Sequence, residues 1–228
     1  MISLLVYVPK ASFRKSHAKT YSETYRYPPP STVYGMLLSL VGEYDRYRHI
    51  GVKIATGLRS EPTLCKKFAK LSRIGLRQDP HEPCKKLFPD IILPDGSKLR
   101  PLKPQIIETV EVLYDLKLSI GVDSTDEVGG DTLERRITSA LEDPASQPRH
   151  GILCLGLSDD MVDDVRLDRR GLPAKWLVRS DTGRTELPVW VHHNGSKDTR
   201  WRRFAIQDAA ASKPPAAAWV GIQTPDKL

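Results

Sequence analysis

Apolar side chains recur along this chain with two different periods, and the switches between them mark its elements. Residues 2–8 (ISLLVYV) are almost continuously apolar, as a strand buried on both faces requires. Residues 9–30 are polar and read as a loop. Ser31 or Thr32 then caps a helix, with Val33, Met36, Leu37, Leu40 and Val41 on one stripe and Gly42 placed to end it. GVKIATGL puts Val52, Ile54, Thr56 and Leu58 on one face of a second strand. Period-2 alternation returns in ETVEVLYDLKLSI, where Val110, Val112, Tyr114, Leu116, Leu118 and Ile120 share a face. Asp131 and Glu134 form a capping box for a helix carrying Leu133, Ile137, Ala140 and Leu141. Residues 151–157 (GILCLGL) read as a closing strand.

The order is βαββαβ, an α+β fold of the ferredoxin-like (RRM-like) kind, in which two helices cover one sheet face. This domain is expected over residues 1–165. Residues 59–105, rich in proline and lysine, interrupt it as a long insertion. Beyond it, Trp176 and Val178, the turn SDTGR, and Leu187, Val189 and Val191 predict a small C-terminal β-hairpin region over 166–208. WRRFAIQ is a candidate further strand. AAASKPPAAA predicts a loose tail over 209–228.

Charge changes this picture. The formal net charge is +7, unevenly spread. Residues 45–103 carry 14 basic and 6 acidic side chains, whereas residues 104–170 carry 7 and 15. A basic first half suits a polyanion; a solvated lysine-rich loop is the alternative. Three widely spaced cysteines argue against a disulfide framework. Cys65, His81 and Cys84 lack a CxxC pair and a fourth ligand, and no metal or cofactor is expected. SDDMVDD lacks the glycine and glutamate of a calcium loop and reads as a solvated acidic face. The longest apolar runs are too short for a membrane span, no secretory leader opens the chain, and a cytoplasmic location is expected.

Two regions carry candidate chemistry. The third strand of the unit lacks the aromatic motif with which RRM sheets stack bases, so the sheet face is a poor RNA platform. The helix start is a better one, because free N–H groups and the dipole favour phosphate there. Pro28, Pro29 and Pro30 deliver it rigidly. Around it lie Arg14, Lys15, His17, Lys19, Tyr21, Tyr25, Arg26, Tyr27 and Tyr34. Seven of the eight tyrosines fall within residues 1–47. Basic groups interleaved with aromatics suit a single-stranded nucleic acid; a plain turn with core tyrosines is the alternative. Arg46 and Arg48 join this set. The insertion brings Lys66, Lys67, Lys70, Arg73, Arg77, Lys85 and Lys86. Catalytic motifs are absent. Metal-free RNA cleavage would have to recruit His17, Tyr25, His49 or His81.

The stretch ASFRKSHAKTYSETYRYPPPSTVYGMLLSLVGE resembles the N-terminal signature of family five of the CRISPR-associated (Cas) proteins. RYRHIGVKIATGL is similar to its short Myxococcus-type branch, and RHGILCLGLSDDMVDDV to a later segment. The resemblance implies an RNA-binding subunit of a type I Cascade complex that grips the five-prime handle of the CRISPR RNA. Arg14, Tyr25, Ser31, Thr32 and Tyr34 would face the handle. The insertion would be a thumb against the backbone subunit, with the large subunit nearby and target DNA reached through the complex. One branch of the family cleaves precursor RNA with a Tyr, Lys and His set. Here Lys117 has no histidine beside it, which favours a non-catalytic scaffold. A metal-independent endoribonuclease and a protein adaptor that binds no RNA are the other readings.

Overall fold

A computed structural model describes residues 1–15, 21–76, 91–92, 94–96, 98–149, 151–192 and 198–224. Its strands are β1 (Ile2–Ala11), β2 (Lys53–Leu58), β3 (Thr63–Leu76), β4 (Ile91–Ile92), β5 (Lys98–Asp123), β6 (Asp164–Leu167), β7 (Lys175–Arg179), β8 (Thr185–Trp190), β9 (Arg200–Ile206) and β10 (Val220–Gly221). Two α-helices, α1 (Pro30–Leu40) and α2 (Leu133–Glu142), complete an α+β fold. All ten strands join one sheet in the order β6-β1-β5-β2-β7-β9-β8, with β10 on β2 and β3 and β4 on β5. The pairings between these strands are antiparallel.

The core follows from register. Leu4, Val6 and Val8 stand opposite Ile120, Leu118 and Leu116, and Ile54 and Leu58 opposite Val122 and Leu118. These side chains form one cluster with Val33, Met36 and Leu37 of α1 and Leu133 and Ile137 of α2. Both helices lay their apolar stripe on that face, as the 3.6-residue period requires. Gly42, at φ 65°, turns the chain beyond α1. At the start of α2, Thr132 accepts the amide of Arg135. Glu134 instead receives the Ser124 amide at 2.7 Å, so the expected capping box does not form.

Three expectations are corrected, and the insertion is given its structure. The closing strand is β6, paired with β1, not residues 151–157. Leu153 and Leu155 are buried as their pattern implied, but Gly156 at φ 119° bends that segment into a loop. Tyr114 is 39% exposed while Leu113 and Leu116 are fully buried. Asp115, at φ 58°, breaks the alternation between them. Much of the insertion is a ribbon of β3 on β5, with irregular register around Arg73. Pro101 and Pro104 fall near that irregularity and disguise the strand, since proline offers no ladder donor. In the C-terminal region β7 and β8 do not pair with each other; each pairs with β9. The hairpin is therefore β8–β9, and it widens the main sheet through β7 and β2.

The tail is also not loose as far as residue 224. Ala174 and Ala211 exchange backbone bonds of 3.1 and 2.9 Å, Trp176 Nε1 donates to the Ala211 carbonyl at 2.8 Å, and β10 pairs with β2. The sheet makes room for this cover with Ala55, Gly57 and Gly121. A Cβ on Gly121 would meet the Trp219 ring at 2.8 Å, and one on Gly57 would meet Trp176 at 2.9 Å. The tail thus occupies the sheet face opposite the helices.

A charged cluster joins the end of α1 to α2. Glu43 accepts from Arg136 and, at 2.9 Å, from Arg48. The His49 side chain, 1% exposed, lies 3.1 Å from the Glu127 side chain, 4% exposed. Burial alone would push the Glu43 carboxyl up; the Asp45 amide with Arg136 and Arg48 outweighs it and holds the group down at about 2.

Two outcomes follow. Gly121→Leu should expel Trp219, cost about 2 kcal/mol by overpacking and open a protease site within residues 209–219; an unchanged digest would refute this seating of the tail. For Glu43 the folded state favours the charged form. Its contribution is complete above the ordinary value of 4.5 and is lost as pH falls toward 2. Glu43→Gln should therefore flatten the dependence of melting temperature on pH in that window, as differential scanning fluorimetry would read directly.

Candidate nucleic-acid interface

The start of α1 does not work as its sequence suggests. Pro29 occupies the cap position with no side-chain hydrogen bond, and Pro30 is the first helical residue. Pro28, Pro29 and Pro30 have no amide hydrogen, so Ser31 is the first residue that can donate one. The Thr32 and Val33 amides already bond to the Pro29 carbonyl at 2.9 and 3.0 Å. Neither Ser31 nor Thr32 caps the helix. Ser31 Oγ donates to the Pro188 carbonyl at 2.9 Å and fastens α1 to β8. The prolines at the cap and first helical positions carry no amide hydrogen, and the Thr32 amide is already engaged, which leaves little for a phosphate.

What remains is a cavity of about 330 Å³ between the end of β1, the start of α1, the loop at 156–157 and strands β8 and β9. Its lining includes Arg14, Tyr25, Thr32, His192 and Trp201. One wall is held by Asp160, which is fully buried. Its Oδ2 accepts the Ser12 and Leu157 amides at 2.7 and 2.9 Å. Lys10 reaches Asp159 at 2.6 Å and Asp160 at 3.4 Å. Within SDDMVDD, Asp160 is therefore an internal anchor, not part of a solvated face. Gly156 is required here, because a Cβ would lie 2.7 Å from the Ser12 carbonyl oxygen.

Glu111, 9% exposed, bonds to the residues that lead into the site. Its carboxylate accepts the Thr24 amide at 3.2 Å, and its carbonyl accepts Ser12 Oγ at 3.0 Å. This glutamate lies within the β3–β5 ladder, opposite Lys66, and ties Ser12 and Thr24 to it.

The predicted residues separate into groups. Arg14 is exposed and lines the cavity. Lys15 pairs with Glu23 at 2.9 Å and stands 6.0 Å from the Tyr25 ring centre, in an adjoining cavity of about 460 Å³ with Arg26 and Arg184. Tyr25 is 6% exposed and borders both cavities. Burial first, and then the Glu186 charge, push its hydroxyl pKa up. Tyr34 is buried, donates to the Arg46 carbonyl at 2.9 Å and borders a cavity with Ser31, Thr32 and Arg46. The Arg46 guanidinium lies 3.8 Å above the Trp190 ring and donates to the Val191 carbonyl at 2.6 Å. The cavity that Ser31, Thr32 and Arg46 line has a volume of about 260 Å³.

Other candidates lie apart. Arg48 is engaged by Glu43 and Asp131, and His49 is enclosed with Glu127; both serve the helix–helix cluster. Lys66 stands 4.8 Å over the Tyr21 ring, and Lys67 follows it on β3, whose backbone also carries Lys70 and Arg73. His17, Arg77, His81, Cys84, Lys85 and Lys86 lie outside the described residues.

Sequence reasoning missed the C-terminal contribution. Trp201 lines the main cavity, while Arg200 and Arg202 line a separate pocket of about 150 Å³ with Arg179. The period-2 alternation of RWRRFAI carried that signal, since successive side chains leave a strand on opposite faces. Its partner strands were not legible.

Comparison with known proteins places these features. A family model described as "CRISPR-associated protein (Cas_Cas5)" matches residues 1–86, which include β1, the proline joint and α1. A solved chain titled "CRISPR RNA-guided surveillance complex" has a similar fold, with TM-score 0.55 and 16% identity over 95% of each chain. The chain is 32% identical over 219 residues to "CRISPR-associated protein Cas5" of Myxococcus xanthus (strain DK1622), covering 93% of this chain and 92% of the relative. With 32% identity across nearly the whole chain and the proline joint inside the matched segment, the chain belongs to the Cas5 family of CRISPR-associated proteins.

Proposed function

We propose that this chain is a non-catalytic subunit of a type I CRISPR Cascade complex and that it caps the five-prime handle of the CRISPR RNA. The observation that carries the reading is the cavity at the start of α1 with exposed Arg14 on its lining; around the adjoining cavity Lys15, Arg26 and Arg184 alternate with Glu23, Glu111 and Glu186. A single strand needs cationic groups along its backbone and recesses or rings for its bases. The covered sheet face supports the same location, because Trp219 and Trp176 fill the ground that an RRM would offer to bases.

The order β6-β1-β5-β2, with α1 and α2 in the crossovers, supports a ferredoxin-like core. The ribbon of β3 on β5 supports the thumb, which would meet the backbone subunit. The large subunit would dock nearby, and target DNA would be reached through the assembled complex. The absence of cleavage is supported by the fate of two candidates. His49 is enclosed, and Lys117 pairs with Asp115 at 2.9 Å. A second reading, a metal-independent endoribonuclease, draws on one observation: Tyr25 and His192 line one cavity with Arg14.

Binding of handle-bearing repeat RNA should fall steeply with salt. Arg14→Glu should weaken it by about tenfold or more and lower the slope of log affinity against log salt by at least about one, with an unchanged melting temperature. Equal affinity in a folded variant would remove Arg14 from the site. RNA incubated with the protein in chelator should be recovered intact; a discrete product would establish the endoribonuclease instead.

A further inference from the structure

We infer that Arg179, Arg200 and Arg202 form a separate phosphate site, which takes one phosphodiester group of a nucleic-acid strand on the face of β9 opposite the first cavity. The inference rests on the nucleic-acid reading above and adds a contact to it. Register places the three arginines together. Arg179 of β7 stands opposite Phe204 of β9. Arg202 and Arg200 precede Phe204 by two and four residues, so the alternation of a strand turns all three to one face. Trp201 lies between them and leaves on the other face, where it lines the first cavity. Arg179 and Arg202 are diagonal neighbours, with Cβ atoms on the order of 7–8 Å apart. Side chains of that length can converge on one anion.

The chemistry of the recess selects the ligand. Its volume is about 150 Å³, Gln223 and Thr224 add an amide and a hydroxyl to its wall, and no carboxylate is among its described lining residues. Elsewhere arginine is answered by acid: Glu43 holds both Arg48 and Arg136. Here Arg179 and Arg202 are exposed and form no ion pair among the described residues. The Arg202 guanidinium gives one bond, from Nη1 to the Trp201 carbonyl at 3.2 Å, out of its five N–H donors. Cations gathered on one recess repel each other and focus a field that attracts an anion. Small-molecule sites begin at roughly 300 Å³, so this recess excludes a whole nucleotide and admits a single oxyanion. The planar fork of arginine matches the paired oxygens of a phosphate. Position favours a phosphate within a strand over one on an acidic peptide's carboxylate ground. Thr199 lines the first cavity and Arg200 the second, so consecutive residues at the start of β9 serve both recesses. The sheet ends at β8, next to β9, and a polynucleotide seated in the first cavity can pass around that edge to the second.

The test titrates the purified full chain and its Arg179→Gln/Arg202→Gln variant with repeat-derived handle RNA and with a duplex DNA of equal length, across a range of salt. On the nucleic acid that uses the site, the variant should bind about tenfold more weakly. Its slope of log affinity against log salt should fall by about 0.7 for the single strand or about 0.9 for the duplex, the share of one phosphate. A single neutral methylphosphonate walked along that nucleic acid should reproduce the loss at one position in the parent and have no effect there in the variant. The melting temperature should not change, since neither side chain gives up an ion pair; should the double variant fail to fold, Arg179→Gln alone carries the comparison. Unchanged affinity and slope on both nucleic acids in a folded variant, or a loss confined to a polyglutamate peptide, would overturn the phosphate site and leave the handle reading standing. If the parent binds handle RNA no tighter than a scrambled RNA of equal length, the handle reading fails, while the methylphosphonate walk still decides the role of the arginines.

Discussion

Strand β5 is the constraint on which the rest of the molecule depends. One edge pairs with β1, and the other pairs first with β3 and then with β2. The exchange of partners falls near Asp115, where a left-handed residue interrupts the pleat. Residues before that point run out with β3 as a ribbon; residues after it form the floor under the two helices. The end of β1, the return of the chain through Thr24 and the start of α1 therefore gather at one place. Glu111 secures that junction from β5 itself, through its backbone carbonyl and its carboxylate. The cavity is thereby built on rigid elements.

The proline joint shows how two physical demands compete at one helix start. Fixing three φ angles lowers the entropy lost on ordering the loop. The same residues strip the amide hydrogens that make a helix N-terminus attractive to phosphate. Here rigidity prevails, and the Ser31 bond to Pro188 adds to it. The positive charge at this joint is then that of a side chain, exposed Arg14, beside a mostly apolar recess.

Much of the fold was legible because hydrophobic period and burial agree. β1, α1, β2, the second half of β5 and α2 are all marked by residues that end fully buried, from Leu4 to Ile137. Legibility failed where long-range packing decides. Leu153 and Leu155 alternate like strand residues, yet Gly156 and the buried Asp160 turn their backbone into a loop. AAASKPPAAA has the composition of a linker, but small residues on the sheet make a seat for Trp219 that only the folded register reveals. At the site, Arg14 was readable from local charge. Tyr25 was also readable, although burial assigns it a narrower part than stacking on an open surface. His192 and Trp201 were not, since nothing local says that β8 and β9 come to lie beside α1.

The charge asymmetry takes a different meaning once partners are assigned. Residues 104–170 carry 15 acidic side chains against 7 basic ones, which on composition alone would repel RNA from this part of the molecule. Several of those carboxylates face inward. Glu111 and Asp160 accept backbone amides beside the site, Glu127 receives the Leu133 amide, and Glu134 receives the amide of Ser124. Buried anions bound by amides contribute to the fold and project little field across the surface. The arginines and lysines around the cavities sit on loops and strand ends, where water and a polyanion can reach them. An acidic middle segment can thus leave exposed cations such as Arg14 in place beside the cavity, because the sign of a surface is set by the charges left exposed.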